Sequence, residues 1–202
     1  GVSQIVNLIS DYELPREAIP THYLNEVAIW EALLFKGGQY GMPVPAMIRN
    51  LPKMTSIGLL SQSSAATRKV AEMLQTDTLL RHARIHPLNV LLAMRTYSSG
   101  HGVKGSLAWI PVRQITDALD AAFYKSFGFV EPTGKRWVLA LDVSGSMGAN
   151  IANMPGLDCR TASAAMAMIT AAVEPSSHII GFTSSGTGHF TGSAGGKNLW
   201  SS

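Results

Sequence analysis

The sequence predicts two regions of different class: a mainly α stack of short helices up to about residue 134, then an α/β segment built on a parallel sheet. Three observations carry this reading. Up to about Gly134, apolar residues recur at three- and four-residue spacing between short polar turns, with no strand alternation. Glu131-Pro132-Thr133-Gly134-Lys135 then breaks that pattern. Beyond it, two nearly continuous apolar runs flank a helix of small residues, the strand, helix, strand order of a doubly wound fold.

In chain order, Thr21 is placed to cap a helix running to Lys36, with Leu24, Val27, Ala28, Glu31, Leu34 and Phe35 largely at helical spacing and Gly37-Gly38 closing it. Further helices are expected over Pro43 to Leu51, Ala65 to Gln75, Asp77 to Ala83 and Pro87 to Tyr97, the last stopped by Ser98-Ser99-Gly100. The final one, Pro111 to Phe127, builds an apolar stripe from Ile115, Ala118, Leu119, Ala122 and Phe123. Pro87 and Pro111 fall where a first turn tolerates a missing amide. Short helices on short turns predict an α-solenoid of stacked pairs, although no fixed sequence period is present.

After the break, Arg136 to Asp142 reads as a strand buried on both faces. Thr161 to Val173 is a helix offering Ala165, Met168, Ile169 and Ala172 to the sheet, and Ser177 to Thr183 is a second buried strand. From Ser184 to Lys197 the chain is rich in Ser, Gly and Thr and loses its pattern. About 65 residues beyond the break supply two or three strands, fewer than an open sheet generally needs, so this domain is expected to be incomplete.

A hydrophobic content of 46% supports folded cores, and no apolar run is suited to spanning a bilayer. The first residues, Gly1 to Val6, lack the basic then apolar pattern of a secretory signal. The single cysteine, Cys159, forms no internal disulfide, which suits a reducing, cytoplasmic setting. Net charge is only +3, but its distribution is uneven. Between Ala32 and Thr116 stand ten basic residues (Lys36, Arg49, Lys53, Arg68, Lys69, Arg81, Arg84, Arg95, Lys104 and Arg113) against Glu72 and Asp77. Such an excess suits a phosphate backbone, and equally an ordinary solvated basic face.

The sharpest motif is Asp142-Val143-Ser144-Gly145-Ser146-Met147, directly after the first strand. In this Asp-x-Ser-x-Ser pattern a carboxylate and two hydroxyls can converge at a strand tip, with Gly145 allowing the tight turn. An oxygen-only set completed by water suits Mg²⁺. The alternative is a plain polar turn, for which Asp and Ser are suited in any case. A haloacid-dehalogenase-type phosphatase would need a second aspartate where Ser144 stands, and no Gly-x-Ser-x-Gly surrounds either serine.

Several ordered segments then point to a family. Met47 to Thr55, Ala83 to Pro87, Thr96 to Gly102, Ala118 to Tyr124 and Val130 to Arg136 resemble the TROVE module of the Ro autoantigen ribonucleoprotein family. Leu141 to Met147 resembles the start of that family's von Willebrand factor A domain, and the likeness runs from roughly Val27 to Phe182. The resemblance implies HEAT-like helical repeats, here the later part of TROVE over 1–134, followed over 135–202 by the first part of a Rossmann-like A domain. It implies binding of single-stranded RNA ends at a basic central hole, of small structured Y RNAs on the outer surface, and no catalysis. DNA and membrane partners are not expected. It also implies a metal-ion-dependent adhesion site (MIDAS), onto which Asp142, Ser144 and Ser146 carry over as the first Mg²⁺-binding loop. The family's second-loop threonine, which follows a Gly-Gly pair, is not matched at Gly195-Gly196-Lys197.

The expected RNA contacts are Arg49, Lys53, Arg84 and His86, with Arg95 and Lys104 behind them. Each has a plainer alternative. Arg49 and Lys53, four apart, suit a solvated helix face, Arg84 a paired carboxylate, and His86 a packed helix start. Asn50 is expected to close a turn and Trp109 to anchor a core, rather than read or stack on a base. The competing function is a metal-dependent protein-binding module, in which a partner's carboxylate completes Mg²⁺ coordination at Asp142, Ser144 and Ser146.

Overall fold

A computed structural model describes residues 1–36, 41–103, 105–152, 154–183 and 186–188. The chain divides into two compact units, Gly1–Ser126 and Phe127–Ser202, a division falling before the break read at residue 134.

The regular elements of the first unit, among the described residues, are helices: α1 (Val2–Tyr12), α2 (Val27–Lys36), α3 (Val44–Ser56), α4 (Ala65–Gln75), α5 (Asp77–His82), α6 (Pro87–Ser99) and α7 (Arg113–Phe127). Successive helices pack as neighbours, α1 on α2, α2 on α3, α3 on α4 and α4 on α5, while α3 also meets α6. This is the HEAT-like stacking that short amphipathic helices on short turns produce. The expected helix from Thr21 is interrupted. Thr21–Asn25 forms a 3-10 turn, Glu26 is extended, and α2 starts at Val27. At the interruption the Trp30 indole N–H donates to the Leu24 carbonyl at 2.8 Å, six residues back, and Trp30 is buried. The apolar face is therefore Ile29, Trp30, Ala32, Leu33 and Leu34, while Val27, Ala28 and Phe35 point outward. Gly37-Gly38 lies outside the described residues.

Local signals fixed other boundaries. Ser64 caps α4 by accepting from the Thr67 amide, and Pro87 occupies the first turn of α6. α3 runs past Leu51 to Ser56 with Pro52 inside it, α6 reaches Ser99, and Pro111 precedes α7, which begins at Arg113. Gly100 ends α6 at φ 73°, where a Cβ would stand 3.0 Å from the Trp109 carbonyl oxygen.

One buried polar node ties α3, α6 and the approach to α7 together. The Thr55 hydroxyl donates to the Leu51 carbonyl at 2.8 Å, so its contact with the Tyr97 hydroxyl at 3.0 Å takes the tyrosine proton. The same tyrosine oxygen accepts from the Val112 amide at 3.1 Å. The Trp109 indole N–H donates to the Tyr97 carbonyl at 2.8 Å, and the two rings stack at 6.2 Å. Burial holds the Tyr97 phenol above its ordinary range, so it stays neutral.

The second unit holds β1 (Arg136–Asp142), β2 (Asn150–Ile151), β3 (Met154–Asp158), α8 (Cys159–Val173), β4 (Ser176–Thr183) and β5 (Gly186–Gly188). β1 pairs parallel with β4, from Arg136↔Ser176 to Asp142↔Phe182, and β5 adds an antiparallel edge to β4. The expected parallel sheet is present, but the expected two-sided burial of β1 is not, since Val138 is 67% exposed. Among the described residues α8 is the helix packed on this sheet, so Leu139 and Leu141 are half-buried while the intervening side chains stay open. On α8 the buried residues are Thr161, Ala162, Ala165, Ala167 and Ile169, while the expected Met168 is half-buried and Ala172 is exposed. The antiparallel β2–β3 ribbon was not anticipated.

Tyr97→Phe removes both the proton given to Thr55 and the acceptor for the Val112 amide. It is expected to destabilise the first unit by about 1–3 kcal/mol, measured by urea unfolding.

Candidate functional site

Of the expected RNA-contacting residues, the structure groups two pairs. Arg49 and Lys53 lie on one face of α3, Arg49 exposed and Lys53 half-buried. The Lys53 ammonium donates to the Asn25 side-chain oxygen at 2.7 Å, a neutral partner that leaves its charge uncompensated. Arg84 and His86 share the turn between α5 and α6, both exposed. The His86 Nδ1 accepts from the Leu88 amide at 3.2 Å, so the ring caps α6 rather than packing in a core. The paired carboxylate considered for Arg84 is not found among the described residues. Arg95 is exposed on α6, apart from both pairs in sequence, and Lys104 lies outside the described residues.

Two alternatives are decided by geometry. Asn50 does not close a turn, because α3 continues past it to Ser56; its amide donates back to the Ala46 carbonyl at 2.8 Å within the helix. Trp109 is only 8% exposed and bonded to Tyr97, so it is a core anchor and offers no face to a base.

The described stretch around α6 is also one-sided in charge. From Thr78 to Thr116 the sequence contains no aspartate or glutamate, while Arg81, Arg84, Arg95, Lys104 and Arg113 all fall within it. Arg113 meets Asp117 at 3.7 Å with both side chains well exposed, a pairing worth little in water. Arg81 and His82 are exposed beside Arg84, and neither stands among the expected contacts.

At the tip of β1 the Asp142 carboxylate accepts from the Ser144 amide at 2.8 Å, and the Ser144 and Ser146 hydroxyls stand 3.0 Å apart. The Ser144 hydroxyl and amide together hold the Asp142 carboxyl below its ordinary value, so it is ionised at neutral pH. The turn is complete as an Asx turn without any ion. It also suits a hard cation: adjacent ligands of an Mg²⁺ octahedron with bonds of 2.0–2.1 Å stand about 3 Å apart, close to the serine separation. No cluster of three His, Cys, Asp or Glu side chains exists among the described residues, so a cation here would rely on one carboxylate, two hydroxyls and water. The Arg160 guanidinium donates to the Ser144 carbonyl at 3.1 Å, bracing the loop from the first turn of α8. Sixteen residues of separation kept that contact out of sight in the sequence.

Below the loop, Glu174 fixes the start of β1. Its carboxylate accepts from the Thr133 amide at 2.8 Å, the Thr133 hydroxyl at 2.7 Å and the Gly134 amide at 3.0 Å. These bonds, the Thr133 amide foremost, hold its carboxyl below the ordinary 4.5. No helix among the described residues is long and apolar enough to cross a membrane.

Comparison with known proteins follows the same division. The TROVE domain family matches residues 13–100, and the Ro60 vWA domain family matches residues 136–193, so the likeness extends on both sides of the Val27 to Phe182 stretch read from the sequence. The chain is 46% identical over 165 residues to an RNA-binding protein RO60 of Caenorhabditis elegans, covering 82% of this chain and 25% of that protein. It is 39% identical over 177 residues to an RNA-binding protein RO60 of Deinococcus radiodurans, covering 87% of this chain and 32% of that one. The crystal structure of the Deinococcus radiodurans RO (RSR) protein superposes with a TM-score of 0.78 at 38% identity, over 90% of this chain and 36% of that chain. The chain thus spans about a quarter to a third of the length of these relatives.

Because the folded-state carboxyl of Glu174 sits below 4.5, its contribution to stability is full above that pH and fades as pH falls through the lowered value. Glu174→Gln is expected to lower the melting temperature of the second unit at pH 7 and to flatten its acid dependence below pH 4.5, both read by thermal circular dichroism.

Proposed function

Since this chain belongs to the Ro family, with a TROVE region and part of the family's vWA domain, we propose that it binds RNA and performs no chemistry on it. Its ligands are small non-coding, Y-type RNA and the single-stranded 3′ ends of misfolded RNA, met in a reducing cytoplasm as a ribonucleoprotein component. Support comes from the relatives named as RNA-binding proteins. The observation that carries the reading is the exposed cationic helical unit, in which Arg49 and Arg84 meet no carboxylate among the described residues and Lys53 meets only an amide. Each phosphate neutralised there releases counterions, so affinity should be electrostatic and salt-sensitive. Arg49, Lys53, Arg84, His86, Arg95 and Lys104 are the contacts proposed, with the helical region extending over 1–134 and the vWA region over 135–202.

A second reading is favoured by the loop geometry. A Mg²⁺ ion held by Asp142, Ser144 and Ser146 would offer its open positions to a carboxylate of a protein partner, the chemistry of an adhesion-type site. This use of the loop and RNA binding by the helical unit are compatible.

Fluorescence anisotropy with a single-stranded RNA bearing a free 3′ end tests the first reading. Affinity is expected to fall by ~tenfold or more between 50 and 200 mM salt. The pair Arg49→Glu and Lys53→Glu should weaken it further, and EDTA should leave it unchanged. Indifference to salt and to both substitutions would refute RNA binding through this surface.

Titration calorimetry with Mg²⁺ alone tests the second. Heat of binding should be present for the unaltered chain and absent when Asp142→Ala removes the one carboxylate. A chain that takes up no Mg²⁺ leaves the loop as a turn.

A further inference from the structure

Two exposed apolar surfaces of the helical unit are set in opposite charge. The first is on α1 and α2. α2 is apolar on all sides, with Glu31 and Lys36 its only charged residues, a composition that ordinarily marks a helix covered all round. Its outward residues Val27 and Phe35 are nevertheless exposed, two turns apart with exposed Glu31 between them. On α1, which packs against α2, Leu8 and Tyr12 stand one turn apart and are also exposed, Tyr12 by 70%. The surrounding charge is acidic. Asp11, Glu13, Glu17, Glu26 and Glu31 are all exposed, against Arg16 as the one lysine or arginine of residues 1–31.

The second surface lies on the connection from α6 to α7. There the Gly102 amide donates to the Leu107 carbonyl at 2.8 Å and the Trp109 amide to the Gly100 carbonyl at 2.9 Å, so residues 100–102 and 107–109 run side by side as an antiparallel ribbon. Buried Trp109 anchors it. What this anchored ribbon shows to solvent is apolar: Val103, Leu107 and Ile110 are exposed, Ile110 by 86%. The charge here is cationic, with Arg95, Lys104 and Arg113 falling in the acid-free stretch from Thr78 to Thr116. Single exposed apolar residues are ordinary. Two groups of them, each on ordered backbone and each set in one sign of charge, mark interaction surfaces.

Charge decides the pairing. Either surface against its own counterpart on another copy would set like charges face to face, which opposes binding, whereas the acidic surface against the cationic one brings opposite charges together. We propose that the helical unit associates head to tail with a second copy of this chain, the Leu8, Tyr12, Val27 and Phe35 surface of one copy seating the Ile110 ribbon of the next. Because the contact joins two different surfaces, each added copy brings a fresh one, and the assembly grows until it closes as a ring or runs on as a filament. Ile110 is the anchor: it is β-branched, almost bare, and carried on backbone already ordered, so docking costs it little freedom.

The test uses the full chain, freed of co-purifying nucleic acid, in a dilution series read by sedimentation velocity. The average mass is expected to rise with concentration at about 50 mM salt and to return to that of one chain at about 500 mM. Ile110→Asp, and the pair Leu8→Ser with Tyr12→Ser, alter exposed side chains. Each variant should therefore keep the unaltered melting temperature while its self-affinity falls about tenfold or more. Mixed together, the two variants should form assemblies of two chains and no larger, because one intact surface of each kind remains between them. If the unaltered chain keeps the mass of one chain at every concentration in low salt, or the mixture does, the proposal is overturned. If only one variant loses self-association, that surface meets its own counterpart and the head-to-tail assignment falls. If copies assemble only when single-stranded RNA is added, the polyanion bridges them and direct contact is overturned.

Discussion

The helical unit depends on one buried hydroxyl. Tyr97 gives its proton to Thr55 on α3 and takes the amide of Val112 before α7, while its own carbonyl receives the Trp109 indole. Each of these groups is cut off from water, so each would be costly if left alone, and together they allow a single arrangement of α3, α6 and the connection that follows. Apolar packing between short helices is permissive about rotation and slide. A polar node with fixed donors and acceptors is not. The exposed arginines of α3, α6 and the α5–α6 turn are carried on elements whose spacing this node helps to define.

How much of this was legible in the sequence depended on the range of the interaction responsible. Ala65–Gln75 and Arg136–Asp142 were read with correct limits because their determinants are local: a serine cap, a closing turn, an apolar run bounded by polar residues. The Asp142, Ser144 and Ser146 loop was legible for the same reason, its polar groups lying within five consecutive residues. The interruption at Glu26 was not, because the bond that accompanies it, from Trp30 back to Leu24, is made by a side chain to a carbonyl freed from the helix pattern. α1 carries no charged cap or proline signal and was absorbed into a general helical expectation. β3 contains a proline and a glycine, which read as loop until its antiparallel partner is seen. Arg160 and Glu174 act across many residues of chain, and nothing in their neighbourhoods announces it. The left-handed backbone of Arg84 was equally invisible, since sequence gives no reason to expect an arginine where glycine would serve.

A parallel strand pair has no hairpin to index it, and continuous apolar runs such as Val138 to Leu141 and Ile179 to Ile180 would tolerate sliding past one another. Glu174 works as an alignment pin. Standing just ahead of β4 and gripping two amides just ahead of β1, it zeroes both strands at the same end. A shift by a single residue would turn Asp142, and the serine loop it holds, to the opposite side of the sheet and away from Arg160, so the side on which the far tip offers its oxygens is metered by a carboxylate at the near end.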